Sequence, residues 1–242
     1  MVSFIAETIF FIGRFPVTNT LLDVLLVDVL ILLGLYFLNK KKSTVPNMFQ
    51  NIVEYIFETF YDLIVSISAK NAAKIFPWVM TFFLFILVAN LSGLVPGFGT
   101  IGYWHEEELI PFLRGAASDI NFTLGLALVS AVATHSLAIS TIGLKDYLMR
   151  YFSFNPIYLF VGLLELVGEL TKIISLSFRL FGNIFAGEVV LARISSMFAF
   201  VLPLPFMALE MVVGLVQALV FAMLTMAFMA ILMTPHAEGG EH

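Results

Sequence analysis

The stretch from residue 157 to residue 196, IYLFVGLLELVGELTKIISLSFRLFGNIFAGEVVLARISS, decides how the rest of the chain is read. It contains no proline, and its glycines are Gly162, Gly168, Gly182 and Gly187, so nothing in it forces a helix to stop. A single helix of this length would be about 60 Å long, about twice the hydrocarbon thickness of a bilayer. Such an element either breaks into two spans or lies strongly tilted, and the absence of proline favours the tilted helix. After a break at Pro203 and Pro205 the apolar pattern resumes to Met233, so residues 157–196 and 203–233 read as an antiparallel hairpin.

The long stretch carries Glu165, Glu169, Lys172, Arg179 and Glu188 in otherwise apolar surroundings. Each such charge at membrane depth costs about 2.5–3.5 kcal/mol on insertion scales, so it needs a partner or a wet cavity. At 100° per residue Glu165, Glu169, Lys172, Arg179 and Asn183 fall within an arc of about 80°, while Glu188 lies nearly opposite Arg179. Glu165, Glu169 and Lys172 read either as a structural ion-pair patch near an interface or as part of a polar path, since spacings of three and four suit local pairing and lysine can snorkel. Arg179 is too far from either helix end to snorkel, which makes it a functional candidate.

In a hairpin, residues at one height have numbers with a constant sum. Arg179 with Gln217 and Glu188 with Glu210 give nearly the same sum, which sets arginine opposite glutamine and glutamate opposite glutamate in one register. Gln217 and Glu210 are seven apart and share a helix face. Two adjacent carboxyls disfavour being ionised together, which suits holding and passing a proton. Arginine keeps its proton, so it acts as a fixed positive charge.

Outside the hairpin the same solvent is implied. Of 242 residues 60% are hydrophobic and 12% charged, against about a quarter charged in soluble domains, and 26 are Phe. No cysteine is present, which excludes disulfides and thiolate chemistry. The expected organisation is one all-α integral membrane unit of upright helices, one amphipathic surface helix and the long tilted hairpin. An N-terminal segment, 1–16, lies outside and lacks the pattern of a cleavable signal. A first span covers 17–38 and an amphipathic helix 46–68, where Phe49, Ile52, Val53, Ile56, Phe57, Phe60, Leu63 and Ile64 recur at helical spacing. A second span covers 76–95, an outside loop 97–118 and a third span 121–142. Lys40, Lys41, Lys42, Lys70 and Lys74, and then Lys145 and Arg150, fall on one side, against Arg14 and Arg114 on the other. The asymmetry puts the N-terminus outside and the C-terminus in the cytoplasm.

At residues 175–188 the sequence reads Ser-Leu-Ser-Phe-Arg-Leu-Phe-Gly-Asn-Ile-Phe-Ala-Gly-Glu, which resembles the hallmark of subunit a of F-type ATP synthases. The likeness extends upstream through Leu164 to Leu166 and Glu169 to Lys172, downstream through Gln217 to Phe221, and back to Asn90 to Gly97 and Asp119 to Thr123. It implies a membrane stator facing a ring of c subunits, with peripheral-stalk b subunits and lipid as further partners, protons as the transported ion, and neither cofactor, metal nor nucleic acid. Arg179 matches the family's essential arginine and Gln217 its neighbouring glutamine. The resemblance further implies an entry path by Glu188 and Glu210 and an exit along the face of Ser175, Arg179 and Asn183. The Ala-Gly-Glu ending at Glu188 resembles bacterial members, hence a plasma (inner) membrane setting. Asn90, Asp119, Asn121 and Thr123 match family positions but also suit helix capping or interhelical hydrogen bonds. His135, alone on an apolar span, suits a packing or interhelical contact.

Two other classes compete with this reading. A secondary proton-coupled transporter would also bury acids and an arginine, but the chain shows no inverted repeat and too few upright spans for two matching halves. An intramembrane protease would need a Gly-x-Ser-x-Gly turn or a His-Glu-x-x-His motif, and the sequence has neither.

Overall fold

The computed structural model describes residues 7–40, 47–95, 101–105, 108–151, 156–197 and 202–234. Seven α-helices account for most of these: α1 (Asn19–Lys40), α2 (Met48–Ser68), α3 (Ala72–Ser92), α4 (Ile120–Ile142), α5 (Leu144–Tyr151), α6 (Pro156–Met197) and α7 (Pro203–Leu232). The long apolar stretch is one helix of 42 residues with no break, as the absence of internal proline anticipates. Proline instead opens α6 and α7, where the missing N–H is one of the orphan donors of a helix start. Four helices, α1, α3, α4 and α7, are long and apolar enough to cross a membrane.

Several boundaries differ from the sequence expectation. The helix expected over 76–95 begins at Ala72 and ends at Ser92, because Pro77 sits within its first turns instead of starting it. Residues beyond Ile142, expected as a short loop, form α5, whose eight residues are too few to carry a clear periodic signal. The segment before α1 and the connection from α3 to α4 hold small antiparallel hairpins, β1 (Thr8–Ile12) with β2 (Phe15–Thr18) and β3 (Gly102–His105) with β4 (Glu108–Pro111). A short 3-10 turn, Ala116–Ser118, then leads into α4.

The core lies between α2, α3, α6 and α7, where α3 packs on α2 and α7 and α7 packs in turn on α6. Ile64 of α2, Ile75, Val79 and Ile86 of α3, Phe221 and Met229 of α7, and Leu176 and Leu180 of α6 are buried together. A smaller cluster of Val27, Ala89 and Ala116 seats α1 on α3 and the 3-10 turn. Outward-facing residues are just as apolar: Leu32 is 66% exposed, Val132 65% and Leu204 62%, the inversion expected of a protein solvated by lipid.

α5 folds back across the start of α6 where Gly162 meets the backbone of Tyr151, and a Cβ there would run into the Tyr151 carbonyl. Gly162→Val is therefore expected to lower the stability of the complex by about 1–3 kcal/mol, read as a reduced Tm in detergent. Gly168→Val, whose added Cβ meets nothing within 4 Å, should leave the Tm unchanged.

Candidate ion-translocation site

One side of α6 is packed and the other is open. Leu176, Ser177, Leu180 and Ile184 are buried, and Ser177 Oγ shares a hydrogen bond of 3.1 Å with Thr123 Oγ1 of α4. Ser175, Phe178, Arg179, Gly182, Asn183 and Ala186 form the exposed stripe, repeating at three and four residues as one helix face must. Arg179 thus points out of the subunit, and Ser175, Gly182 and Ala186 along the stripe are small enough for another helix to come close. Its Nη2 donates to Ser175 Oγ one turn away, at 3.3 Å. Among the described residues no carboxylate lies within ion-pair distance of it.

The carboxyl pair occupies the opposite environment. Glu210 is 8% exposed on α7, and Glu188 is half-buried on α6, next in sequence to the Gly187 that lies against Glu210. One oxygen of each, Glu188 Oε2 and Glu210 Oε2, is buried without a hydrogen-bond partner among the described residues. Gly187 makes room for this arrangement, because a Cβ there would stand 2.6 Å from Glu210 Oε1. Buried acceptors in such a pair call for protons or ordered water to satisfy them.

Two contacts fix the register of the hairpin. Gly187 lies against Glu210, and Lys172 Nζ stands 4.6 Å from the centroid of the Phe228 ring. Arg179 and Gln217 fall between them in height. Gln217 is half-buried there, and the hydrogen bond that holds Arg179 runs to Ser175.

The remaining polar residues are tied into the bundle. Glu165 Oε1 accepts from Arg150 Nε of α5 at 2.6 Å, so its partner is not its neighbour on α6. Glu169 pairs with Lys172 at 2.7 Å, the spacing of three anticipated from sequence. His135 Nδ1 shares a 2.8 Å hydrogen bond with the Tyr147 hydroxyl, and its Nε2 is 3.8 Å from Glu169. Asn90 donates from Nδ2 to the Gly214 carbonyl of α7 at 2.9 Å, an interhelical bond. Asp119 caps α4 by accepting from the Asn121 N–H at 2.9 Å, and Asn121 itself is exposed.

One buried carboxylate escapes the sequence reading. Asp23 of α1 is fully buried, and its Oδ2 accepts from the Ala116 N–H at 2.8 Å and from Ser92 Oγ at 3.3 Å. The visible signal is an acid inside the apolar run of the first span.

A helical bundle solvated by lipid, with a guanidinium turned out of it and two acids shielded within it, defines an ion-translocating membrane subunit that works against a second component. The profile of the family described as ATP synthase A chain matches residues 21–230. The chain is also 32% identical over 222 residues to ATP synthase subunit a of Moorella thermoacetica, covering 92% of this chain and 94% of that one. It belongs to this family: it is a proton-translocating stator subunit of an F-type ATP synthase, a channel component with no catalytic chemistry of its own. It works in the membrane with the c-ring and other subunits of that complex.

The fit between Gly187 and Glu210 gives a local test. Gly187→Ala displaces the flexible end of Glu210 more readily than it disturbs the backbone, so the complex should still assemble. If Glu210 relays protons, passive flux through membranes stripped of the catalytic heads should fall about tenfold or more when its carboxyl is moved by about 1 Å, and an unchanged flux would count against that role.

Proposed function

We propose that the chain passes protons to and from the c-ring carboxylates through two offset half-channels, with Arg179 as the barrier between them. The observation that carries this reading is the split along α6. Arg179 stands on the outward stripe, while Glu188 and Glu210 turn inward about 14 Å further along the helix axis.

On this reading protons enter from outside by Glu188 and Glu210, neutralise a ring carboxylate and ride round with it. They leave to the cytoplasm along the face of Ser175 and Asn183. A ring site that reaches Arg179 still protonated is uncharged and gains nothing from it; once it has released its proton, the carboxylate is attracted to the guanidinium. Because arginine does not titrate, it can hold the carboxylate but cannot relay the proton. A continuous water path would dissipate the driving force, about 2.3 kcal/mol per charge per 100 mV, without turning the rotor. Gln217 orients the guanidinium when the ring is present. Glu165, Glu169 and Lys172 support the cytoplasmic end, and Asn90, Asp119 and Asn121 hold the bundle in register.

The distribution of lysine and arginine supports an orientation with the N-terminus outside and the C-terminus in the cytoplasm. We place the chain in a bacterial plasma membrane, held against the ring by peripheral-stalk b subunits.

Arg179→Ala is expected to abolish proton-driven ATP synthesis in inverted membrane vesicles while the detached catalytic heads still hydrolyse ATP. Coupled synthesis at even a tenth of the parental rate would contradict the barrier role. Glu188→Gln should slow passive proton flux at least about tenfold with normal subunit content, since a positioned proton-transfer group contributes about 10²–10⁴-fold; normal flux would remove Glu188 from the entry path.

A further inference from the structure

Three helices, α4, α5 and α6, meet in a cluster of polar side chains on the side of Ser175 away from Glu188. Arg150 of α5 is paired with Glu165 of α6 at 2.6 Å, and Lys172 with Glu169 at 2.7 Å, so these four charges cancel. Histidine is the side chain that ordinarily changes charge between about pH 5 and 8, and His135 of α4 lies against this balanced set. Its Nδ1 shares a 2.8 Å hydrogen bond with the Tyr147 hydroxyl, and its Nε2 stands 3.8 Å from Glu169 Oε2. The Tyr147 ring in turn meets the Tyr151 ring edge to face, with centroids 5.4 Å apart. Of the other charged groups on these helices and on α3, Lys74 is bonded to Thr141, and Lys145 and Asp146 are exposed. From Gln217 to Leu232, α7 contributes no titratable residue.

His135 is placed unlike a packing side chain. It sits about 10 Å inside the end of α4 at Ile142, and its side chain is 27% exposed. A packing contact needs neither ring nitrogen, yet here one meets a hydroxyl and the other faces a carboxylate. Around α6, Lys172 lies about 20° and Glu169 about 80° from Arg179, so Glu169 stands at the edge where the open stripe gives way to the packed side. Along the axis it is about 9 Å from Ser175, the first acid reached from there in the direction away from Glu188. A proton added to His135 gives the cluster one net positive charge, and the Glu169 carboxylate is placed to pair with it.

We propose that His135 is a proton-exchanging residue of the exit path, whose imidazole takes a proton arriving along α6 from the Ser175 face and gives it up to water on the cytoplasmic side. With Nδ1–H donating to the Tyr147 oxygen, Nε2 is left to accept the proton; the imidazolium then releases it to water and returns to the neutral ring. Tyr147 and Glu169 are positioning residues. The hydroxyl holds the ring, and the carboxylate, committed to Lys172 through Oε1, turns Oε2 toward Nε2. At 3.8 Å that last contact is longer than a hydrogen bond, as acid–base contacts often are before the transferred proton is in place. The exit's location at this end of α6 rests on the half-channel reading above.

Inverted membrane vesicles stripped of the catalytic heads, whose cytoplasmic face is the outer one, read this as passive proton flux against the pH of the medium. His135→Gln keeps an amide able to bridge Tyr147 and Glu169 but unable to take a proton. The complex should assemble normally, with flux about tenfold or more lower and its dependence on medium pH between about 5 and 8 flattened. His135→Ala should lose flux to the same extent, and imidazole added to the medium should restore most of it. Pyrazole, a ring of the same shape that stays unprotonated at these pH values, should restore none. Parental flux and pH dependence in His135→Gln would overturn the assignment, as would a loss in His135→Ala that imidazole does not restore. Glu188→Gln in the same assay separates the two readings: slow flux there with normal flux in His135→Gln removes His135 alone, and normal flux in both removes the entry path as well.

Discussion

The structure turns on a positive charge that the described residues of its own subunit leave unneutralised. A guanidinium in a low-dielectric setting needs an anion or water, and among the described residues Arg179 has one serine hydroxyl. On the proposed reading, the energy withheld within the subunit is what makes a passing carboxylate worth capturing. An internal salt bridge to Arg179 would stabilise the isolated chain and remove that attraction.

The rest of the bundle keeps this charge outward and the acids inward. Leu176, Leu180 and Ile184 lock one face of α6 into the core, which fixes the opposite face as the open one. The bond between Ser177 and Thr123 and that between Asn90 and Gly214 tie α6 to α4 and α3 to α7 without placing a charge near Arg179. Other charges on α6 are handled locally: Arg150 satisfies Glu165, and Lys172 satisfies Glu169 while lying over Phe228. The division follows from burial. Charges paired within the fold serve its stability, and charges left unpaired are available to something else.

What the sequence reveals follows from how local the controlling physics is. The unbroken α6 and the common face of Ser175, Arg179 and Asn183 can be read directly, because helical periodicity depends on the stretch alone. The Glu188 and Glu210 pairing is also legible, since one proline break fixes the hairpin register. The bond from Asp23 to the Ala116 N–H spans 93 positions and ends on a backbone group, which no residue pattern marks. Glu165 invites pairing on its own helix, yet the short α5 brings Arg150 to it, and an eight-residue helix leaves little periodic trace. The two β-hairpins are likewise too short, at four or five residues a strand, to leave a clear alternating pattern.

The most direct test of the outward arginine is disulfide formation across the α6 face in the intact complex. Gly182→Cys lies on the Arg179 stripe and its Cβ meets nothing within 4 Å, whereas Ile184→Cys lies on the buried face. With a cysteine introduced one turn from the ring carboxylate, mild oxidation should cross-link Gly182→Cys to the ring and block rotation, and should leave Ile184→Cys unlinked. Cross-linking from position 184 with none from position 182 would place Arg179 away from the rotor and contradict the account.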